Sequence, residues 1–521
     1  MQKEVTLIVT PKQASSEEYY TPLIAKKLNI SSSRITKNQI INRSIDARNK
    51  NVKIHLRLNV FIDELPSNQT PFELNYKNVS NKTPIIIVGA GPAGLFAALK
   101  LIEKGLKPII IERGKDVHSR KRDIANIHRN INIDNDSNYS FGEGGAGTYS
   151  DGKLFTRSKK RGNVKAILNI LKYHGAKQEL LIDTHPHIGS DKLPQIIKNI
   201  RQTILNYGGE VHFQTKLKEL IINNNIIKGI KTTNNDTIKA NAVILATGHS
   251  ARDIYEMLLN QKIALEPKPF AMGVRVEHPQ QLIDSIQYSC NTRDKYLPPA
   301  TYNLVTQVEN KGVYSFCMCP GGIIVPASTS SNEMVVNGMS PSNRNTIWAN
   351  SAIVVEIKPE DIKSTNNTDV LKTLNFQKKY EQLSFKNGGN GLIAPAQRIT
   401  DFINNKLSNN LPESSYRPGL HSSAMHEWIP DTIKKHLKKG LLSFDKKMHG
   451  FFTNEAIIVG VESRTSSPIR IPRDKITLQH PQITGLFPSG EGAGYAGGIV
   501  SSAIDGENCA IKTFEFIQKN I

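Results

Sequence analysis

Two cysteines stand one residue apart in SFCMCPGG, residues 315–322, in a chain that has only four. Cys317 and Cys319 could form a redox pair, supply half of a metal site, or do neither. A Cys-x-Cys disulfide closes a small strained ring that is readily reduced. A tetrahedral zinc needs two further ligands, and neither Cys290 nor Cys509 belongs to a matching pair. His185 and His187 flank a proline and have no third and fourth ligand at zinc-like spacing, so no metal is expected. Downstream, VESRTSSPIRIPRD carries Arg464, Arg470 and Arg473. These arginines could clamp a carboxylate or phosphate bidentately, or pair with Glu462 and Asp474. Tyr495, in a glycine turn, could lie beside a cofactor ring or simply pack.

The choice among these readings depends on the cofactor. In PIIIVGAGPAGLFAALKLIEKGLKPIIIERG, an apolar strand runs into Gly89, Gly91 and Gly94, then a helix, Gly105, and a second strand ending at Glu112 and Arg113. Gly89 permits a tight turn, Gly91 lets backbone approach a pyrophosphate, and Gly94 lets helix pack on strand. The helix start at Pro92 and Ala93 offers free N–H groups and the positive end of a dipole. Glu112 is expected to accept from the adenosine ribose hydroxyls, and its charge argues against a 2′-phosphate there. FAD or NAD remains.

Two further motifs separate these. One strand ends at Thr247 and Gly248, and ITGLFPSGEGAGYAGGIV places Gly490 and Glu491 after a strand and opens a helix at Gly497, Gly498 and Ile499. An NAD domain has no need of a second glycine turn so far downstream. An extended FAD does, with both ends of the chain building one domain. Glu491 is expected to bond the ribityl chain. The helix after Gly498 is expected to stabilise charge on reduced flavin by roughly 0.3–1 kcal/mol. The glycine-rich FGEGGAGTYSDGK, residues 141–153, follows no apolar strand. It reads as a loop against the cofactor, with Gly144, Gly145 and Ser150 close to it, or else as a flexible surface loop.

At these residues the chain resembles the glutathione-reductase type of FAD fold. More narrowly, it resembles a bacterial family of poorly characterised FAD-dependent dehydrogenases, labelled NAD(P)/FAD-dependent oxidoreductases. The resemblance spans nearly the full length, through SIDARNK, FGEGGAGTYSDGKL, HPHIG, ATGHSARDIYE, KPFAMGVRVEHPQ, YSFCMCPGG, VNGMSPSNRN, VGVESRTSSPIRIPRD and GEGAGYAGGIVSSAIDGE. It implies non-covalent FAD and an oxidoreductase, and names no substrate. Ser489 stands where that family is expected to carry Cys more often, so a redox thiol there is absent.

The elements that must position these groups follow. Residues 1–80 read as a small α+β unit, with strands in VTLIVTP and VKIHLRLNVFIDE and a helix capped by Ser15 or Ser16. The polar stretch before Pro84 suits a linker. A Rossmann-like FAD-binding domain is expected over 83–262 and, discontinuously, 461–521. A β-rich α+β substrate domain is inserted at 263–460, with a polar KSTNNTD loop. The fold class is therefore α/β. No second dinucleotide fingerprint appears, so NAD(P)H is expected only as a transient electron donor, a protein donor being the alternative. In the strand-like VYSFCMC, Cys317 and Cys319 should share a face. They line the substrate side of the flavin as reduced thiols, or are small buried hydrophobes.

The 521 residues are 38% hydrophobic and 22% charged, which suits a globular protein of several domains. No run is long and apolar enough for a membrane span, and MQKEVTLIVT lacks a signal-peptide core, so a cytoplasmic protein is expected. The net charge of +21 reads either as diffuse lysine-rich surface or as an RNA-binding function centred on KKLNISSSRITKNQIINRSIDARNK. A small-molecule substrate, anionic or neutral, suits both. The leading reading is an FAD-dependent oxidoreductase that moves hydride between flavin N5 and a substrate or nicotinamide. The alternative is an RNA-binding flavoprotein.

Overall fold

The computed structural model describes residues 1–66, 72–156, 159–363, 369–389 and 391–520. Part of the expected linker and most of KSTNNTD lie outside these residues. A five-stranded parallel sheet runs in the order Leu486–Pro488, Val243–Leu245, Pro84–Val88, Lys107–Ile111 and Glu210–His212. Its central strands are nearly unbroken runs of β-branched residues, as expected when both faces are covered. Ile85, Ile86 and Ile87 have no exposed surface. The helix Pro92–Lys104 returns the chain between the first two strands and ends at Gly105, whose φ of 82° makes a left-handed cap. The edge strand Leu486–Pro488 comes from the far end of the chain. A three-stranded antiparallel sheet, Leu217–Asn223, Ile226–Thr232 and Thr237–Lys239, leads into Val243–Leu245. Its first turn uses two asparagines at positive φ, Asn224 and Asn225.

The C-terminal helix Ile499–Asn520 lies on the helix Pro92–Lys104 at backbone contact. A methyl group on Gly506 would sit 2.0 Å from the carbonyl oxygen of Ala93. No side chain larger than hydrogen fits that crossing.

The inserted segment forms a seven-stranded sheet in the order Val305–Val308, Lys311–Cys319, Trp348–Ile357, Phe270–Pro279, Ile457–Glu462, Ala394–Arg398 and Leu420–Ser422. All its pairings are antiparallel except the last, which is parallel. The strand Ile457–Glu462 straddles the boundary expected at 460. It remains in this sheet because each of its residues is buried between neighbours. The amino-terminal unit adds a strand the sequence reading missed. Its antiparallel sheet orders Gln2–Val9, Lys53–Ile62 and Ile35–Asp46. Ile35–Asp46 is a polar edge strand with little apolar alternation, hence invisible to pattern. Ser16 caps the helix Glu17–Leu28 by accepting from the N–H of Glu18. The unit is not isolated: one apolar cluster runs from Val5, Leu56 and Leu58 into Phe270, Val274 and Val276 of the seven-stranded sheet. Its edge also exchanges backbone hydrogen bonds, Arg43 donating to Ile182 and Thr184 donating to Arg43. Among the described residues, no helix is long and apolar enough to cross a membrane.

Gly506→Ala is expected to force the two helices apart. Overpacking of this kind costs about 1–3 kcal/mol, more than the gain in helix propensity from Gly to Ala. Urea denaturation of the full chain checks this, and an unchanged midpoint would show that the crossing tolerates a methyl group.

Candidate functional site

Three segments far apart in sequence converge at the carboxyl ends of the parallel strands. In the first, Gly89 (φ 105°) packs so closely that a methyl group there would lie 2.5 Å from the carbonyl oxygen of Ala246. A methyl group on Gly94 would lie 1.9 Å from the carbonyl oxygen of Gly89. Gly91 precedes the helix with no side-chain cap, and Pro92 holds its first position. The second segment is Thr247 and Gly248 (φ 72°). The third is Gly490 (φ 75°), then Gly497, Gly498 (φ 140°) and the helix that starts at Ile499. Methyl groups on Gly91, Gly248, Gly497 or Gly498 would meet nothing within 4 Å, while the other glycines of these segments are packed tight. The four mark an open cradle bordered by bare backbone beside two helix starts, a donor set that fits the pyrophosphate and flavin ends of a dinucleotide.

The loop 141–153 closes one side. The N–H of Gly144 donates to Ala90, and a methyl group on Gly145 would lie 3.2 Å from the Cα of Gly91. One on Gly147 would lie 3.3 Å from Ile499 and 3.5 Å from Pro92. The loop therefore touches both helix starts. Ser150 turns inward on it, its hydroxyl donating to Gly147. The sequence reading missed what holds this loop. Arg120 is wholly buried and donates to the carbonyls of Asn138, Tyr139, Glu143 and Gly145, at 2.7–3.0 Å. Only the five fixed donors of a guanidinium suit such a cage of carbonyls. Burial lowers its pKa to about 10. Arg120 lies at the first turn of the helix Val117–His128 beside Lys121 and Arg122, with no local signal of this role.

Several expected cofactor contacts are engaged within the protein. The Glu112 carboxylate accepts from the N–H groups of Ala90, Gly114 and Gly142, each at 2.9 Å. It ties the glycine turn, its own strand end and the loop together, a role visible without any ribose. Arg113 stacks over Phe141 at 4.3 Å and pairs with Asp136 and Asp253, so its charge is already matched. Glu491 faces His249, with Oε1 3.1 Å from Nδ1. The N–H of Gly490 donates to Asp505, which also pairs with Arg473.

Of the two readings of these arginines, anion clamp or structural ion pair, Arg464 and Arg473 are found in ion pairs. Arg464 is buried and shares the carboxylates of Glu333 and Glu381 with Arg252. Burial opposes ionisation of Glu381, but Arg252 and Arg464 hold its pKa low, whereas burial and Glu381 raise that of Glu333. Two arginines and two glutamates leave no charge for a ligand. The proposed partners differ too: Glu462 pairs with Arg275, and Asp474 accepts from the backbone of Ile476 and Thr477. Arg473 lies 3.7 Å over the ring of Tyr495, and Arg470 lies 5.6 Å from it, so Tyr495 is packed by cations.

Cys317 and Cys319 do not share a face. The register with Trp348–Ile357 shifts between Phe316 and Cys319, and Cys317 has a φ of 46°. This bulge breaks the alternation, leaving Cys317 exposed and Cys319 wholly buried, both as free thiols. The Cys319 thiol donates to the Cys317 carbonyl at 3.2 Å, with Arg275 at 3.6 Å and Lys153 at 3.7 Å from its sulfur. Lys153 closes the glycine-rich loop and was not singled out by the sequence reading, although it stands inside the SDGKL motif. His187 lies 3.2 Å from the carbonyl oxygen of Ser342, and among the described residues no group of three or more His, Cys, Asp or Glu side chains could hold a metal.

The comparisons with known proteins agree with a flavin site. A family model described as an FAD binding domain matches residues 82–129, and one described as FAD-dependent protein, C-terminal domain-like, matches residues 269–465. Residues 1–61 match a domain of unknown function. An uncharacterized protein of Clostridium beijerinckii is 41% identical over 502 residues, covering 93% of each chain. The chain belongs to the same family as that protein, and it carries an FAD-binding domain. Among solved structures, it is similar to a flavoprotein/dehydrogenase from Cytophaga hutchinsonii, at 12% identity and a TM-score of 0.37, covering 84% of this chain and 79% of that one. A geranylgeranyl bacteriochlorophyll reductase-like protein from Thermoplasma acidophilum matches at 16% identity and a TM-score of 0.35, covering 84% and 82%.

Two substitutions separate the cradle from its scaffold. Gly91→Ala adds a methyl group that meets no protein atom, at an ordinary φ of −75°. It should leave the stability of FAD-free protein within about 0.5 kcal/mol of wild type while FAD retention falls. Glu112→Ala orphans three buried N–H groups and should destabilise even FAD-free protein by at least about 2 kcal/mol. Denaturant titrations with and without FAD check both, and equal behaviour of the two variants would mean the roles are misassigned.

Proposed function

We propose that this protein is an FAD-dependent oxidoreductase with an unidentified small-molecule substrate. The observation that carries the reading is the cradle: four glycines from three distant segments, all facing open space, beside the starts of two long helices. Bound FAD would supply two-electron chemistry, exchanging hydride with the substrate through N5. The chain's own residues would hold and orient it. The N–H groups at the start of Pro92–Lys104, bare of any side-chain cap, would receive the pyrophosphate beside Gly91. Thr247, Gly248 and Gly490 would border its middle. The helix start at Gly498 and Ile499 would favour negative charge on the ring's pyrimidine side. The loop through Gly144, Gly145 and Ser150, pinned by Arg120 and Glu112, would exclude water. We assign the topology to the glutathione-reductase type, because a five-stranded parallel sheet precedes and follows a three-stranded antiparallel one.

Electrons would come from a nicotinamide bound transiently over the ring, or from a protein donor, since the sequence carries one dinucleotide fingerprint and no second. The RNA-binding alternative finds no support in the family matches, which concern flavoproteins at residues 82–129 and 269–465.

The purified protein is expected to be yellow and to release free FAD on heat or acid treatment. A colourless protein that binds NAD instead would refute the reading. Anaerobic stopped-flow reduction by NADH or NADPH alone is expected to be slow or to need high concentrations. Fast reduction that saturates at micromolar nicotinamide would show a dedicated site.

A further inference from the structure

Arg464 and Arg473 are paired with buried carboxylates, and an excess of cations over paired carboxylates lies elsewhere. Where the glycine-rich loop meets the seven-stranded sheet, three cations lie within ion-pair distance of only two carboxylates. Arg275 pairs with Glu462 at 2.9 Å, while Arg344 and Lys153 share Asp151 at 2.9 and 3.1 Å. Arg275, Glu462 and Asp151 are almost wholly buried, and Arg344 nearly so. Lys153 alone is open, with 36% of its side chain exposed. Glu277 also feels Arg275, but its oxygens face Ser414 and Ser415. His187 adds no positive charge near neutral pH, because burial and Arg344 lower its pKa. In this cluster the cations therefore outnumber the carboxylates they pair with by one, and Lys153 is the most exposed of the three cations.

That group adjoins the exposed thiol. Lys153 contacts the Cys319 sulfur, and the Cys317 side chain next to it is accessible on its bulge. The surrounding walls disfavour ionisation of Cys317, and Lys153 and Arg275 oppose them. Lys153 is also tethered to the cradle. It follows Gly147, which touches Pro92 and Ile499, by six residues, a span of at most about 20 Å.

We propose that Lys153, beside Cys317, is an anion-recognition site on the substrate side of the cradle, taking a carboxylate or phosphate group of a small substrate. The assignment rests on the flavoenzyme reading for the purpose of the site, not for its charge. Cys317 offers a reporter that needs no turnover. Holoprotein is treated separately with iodoacetate, an anion, and iodoacetamide, its neutral analogue, and alkylation of Cys317 and of half-buried Cys290 is followed by peptide mass spectrometry. The iodoacetate-to-iodoacetamide rate ratio at Cys317 is expected to exceed that at Cys290 by about tenfold or more at low salt, and to fall as salt rises. Lys153→Gln should abolish the excess, and Lys153→Arg should keep most of it. Malonate that slows iodoacetate at Cys317 assigns a carboxylate, and inorganic phosphate that does so assigns a phosphate. Equal ratios at the two cysteines, an excess that survives in Lys153→Gln, or protection by neither anion overturns the proposal. Visible absorbance of the same samples reports FAD separately, so a missing flavin and a missing anion site are told apart.

Discussion

The structure depends on one backbone contact, the crossing of the helices Pro92–Lys104 and Ile499–Asn520. Gly506 meets the carbonyl of Ala93, and a methyl group on Gly490 would lie 2.8 Å from the Ala93 side chain. Because no side chain separates the helices, their amino-terminal ends come together, and glycines from both ends of the chain face one space. The same approach lets Leu486–Pro488 add to the edge of Val243–Leu245. Asp505, one residue before the crossing glycine, reinforces it by accepting from Gly490 and pairing with Arg473. Close packing makes such an arrangement all or nothing, since a gap of one methyl group removes the contacts on both sides.

Around this contact, buried charge fixes loops that carry little secondary structure. Arg120 satisfies two carbonyls of the glycine-rich loop and two just before it, and Glu112 satisfies three N–H groups around the turn. A loop with so many glycines has much conformational entropy to lose, and fixed multiple hydrogen bonds offset that loss. On the other side, Arg252 and Arg464 with Glu333 and Glu381 join the helix after Gly248, the helix Lys372–Lys386 and the end of Ile457–Glu462. These pairs have nearly no solvent, so their value is geometric: each partner must stay where its counter-charge is.

The elements that were legible had local causes. Pro84–Val88 and Pro92–Lys104 were readable because strand, glycine and helix signals fall in register over a few turns. Ser16 was readable as a cap because capping is a contact between near neighbours. Ile35–Asp46 was not, since a polar edge strand owes its existence to the strand beside it. The alternation of VYSFCMC suggested one face for both thiols, but a bulge imposed by pairing with Trp348–Ile357 put them in different environments.

The amino-acid sequence alone determined the glycine turn after Pro84–Val88, the second glycine turn after Leu486–Pro488, and that no further fingerprint is written between them. Each is written in residue types at short spacing, where glycine, β-branched and acidic side chains have narrow physical uses. Tertiary structure alone decided which charges are free. Arg113, Arg464 and Arg473 look as available in sequence as Lys153, yet Asp253, Glu381 and Asp505 reach them from 140, 83 and 32 residues away. Coulomb attraction acts through space and is strongest where water is excluded. The pairing of a buried charge is therefore settled only when the fold has brought its partner within reach.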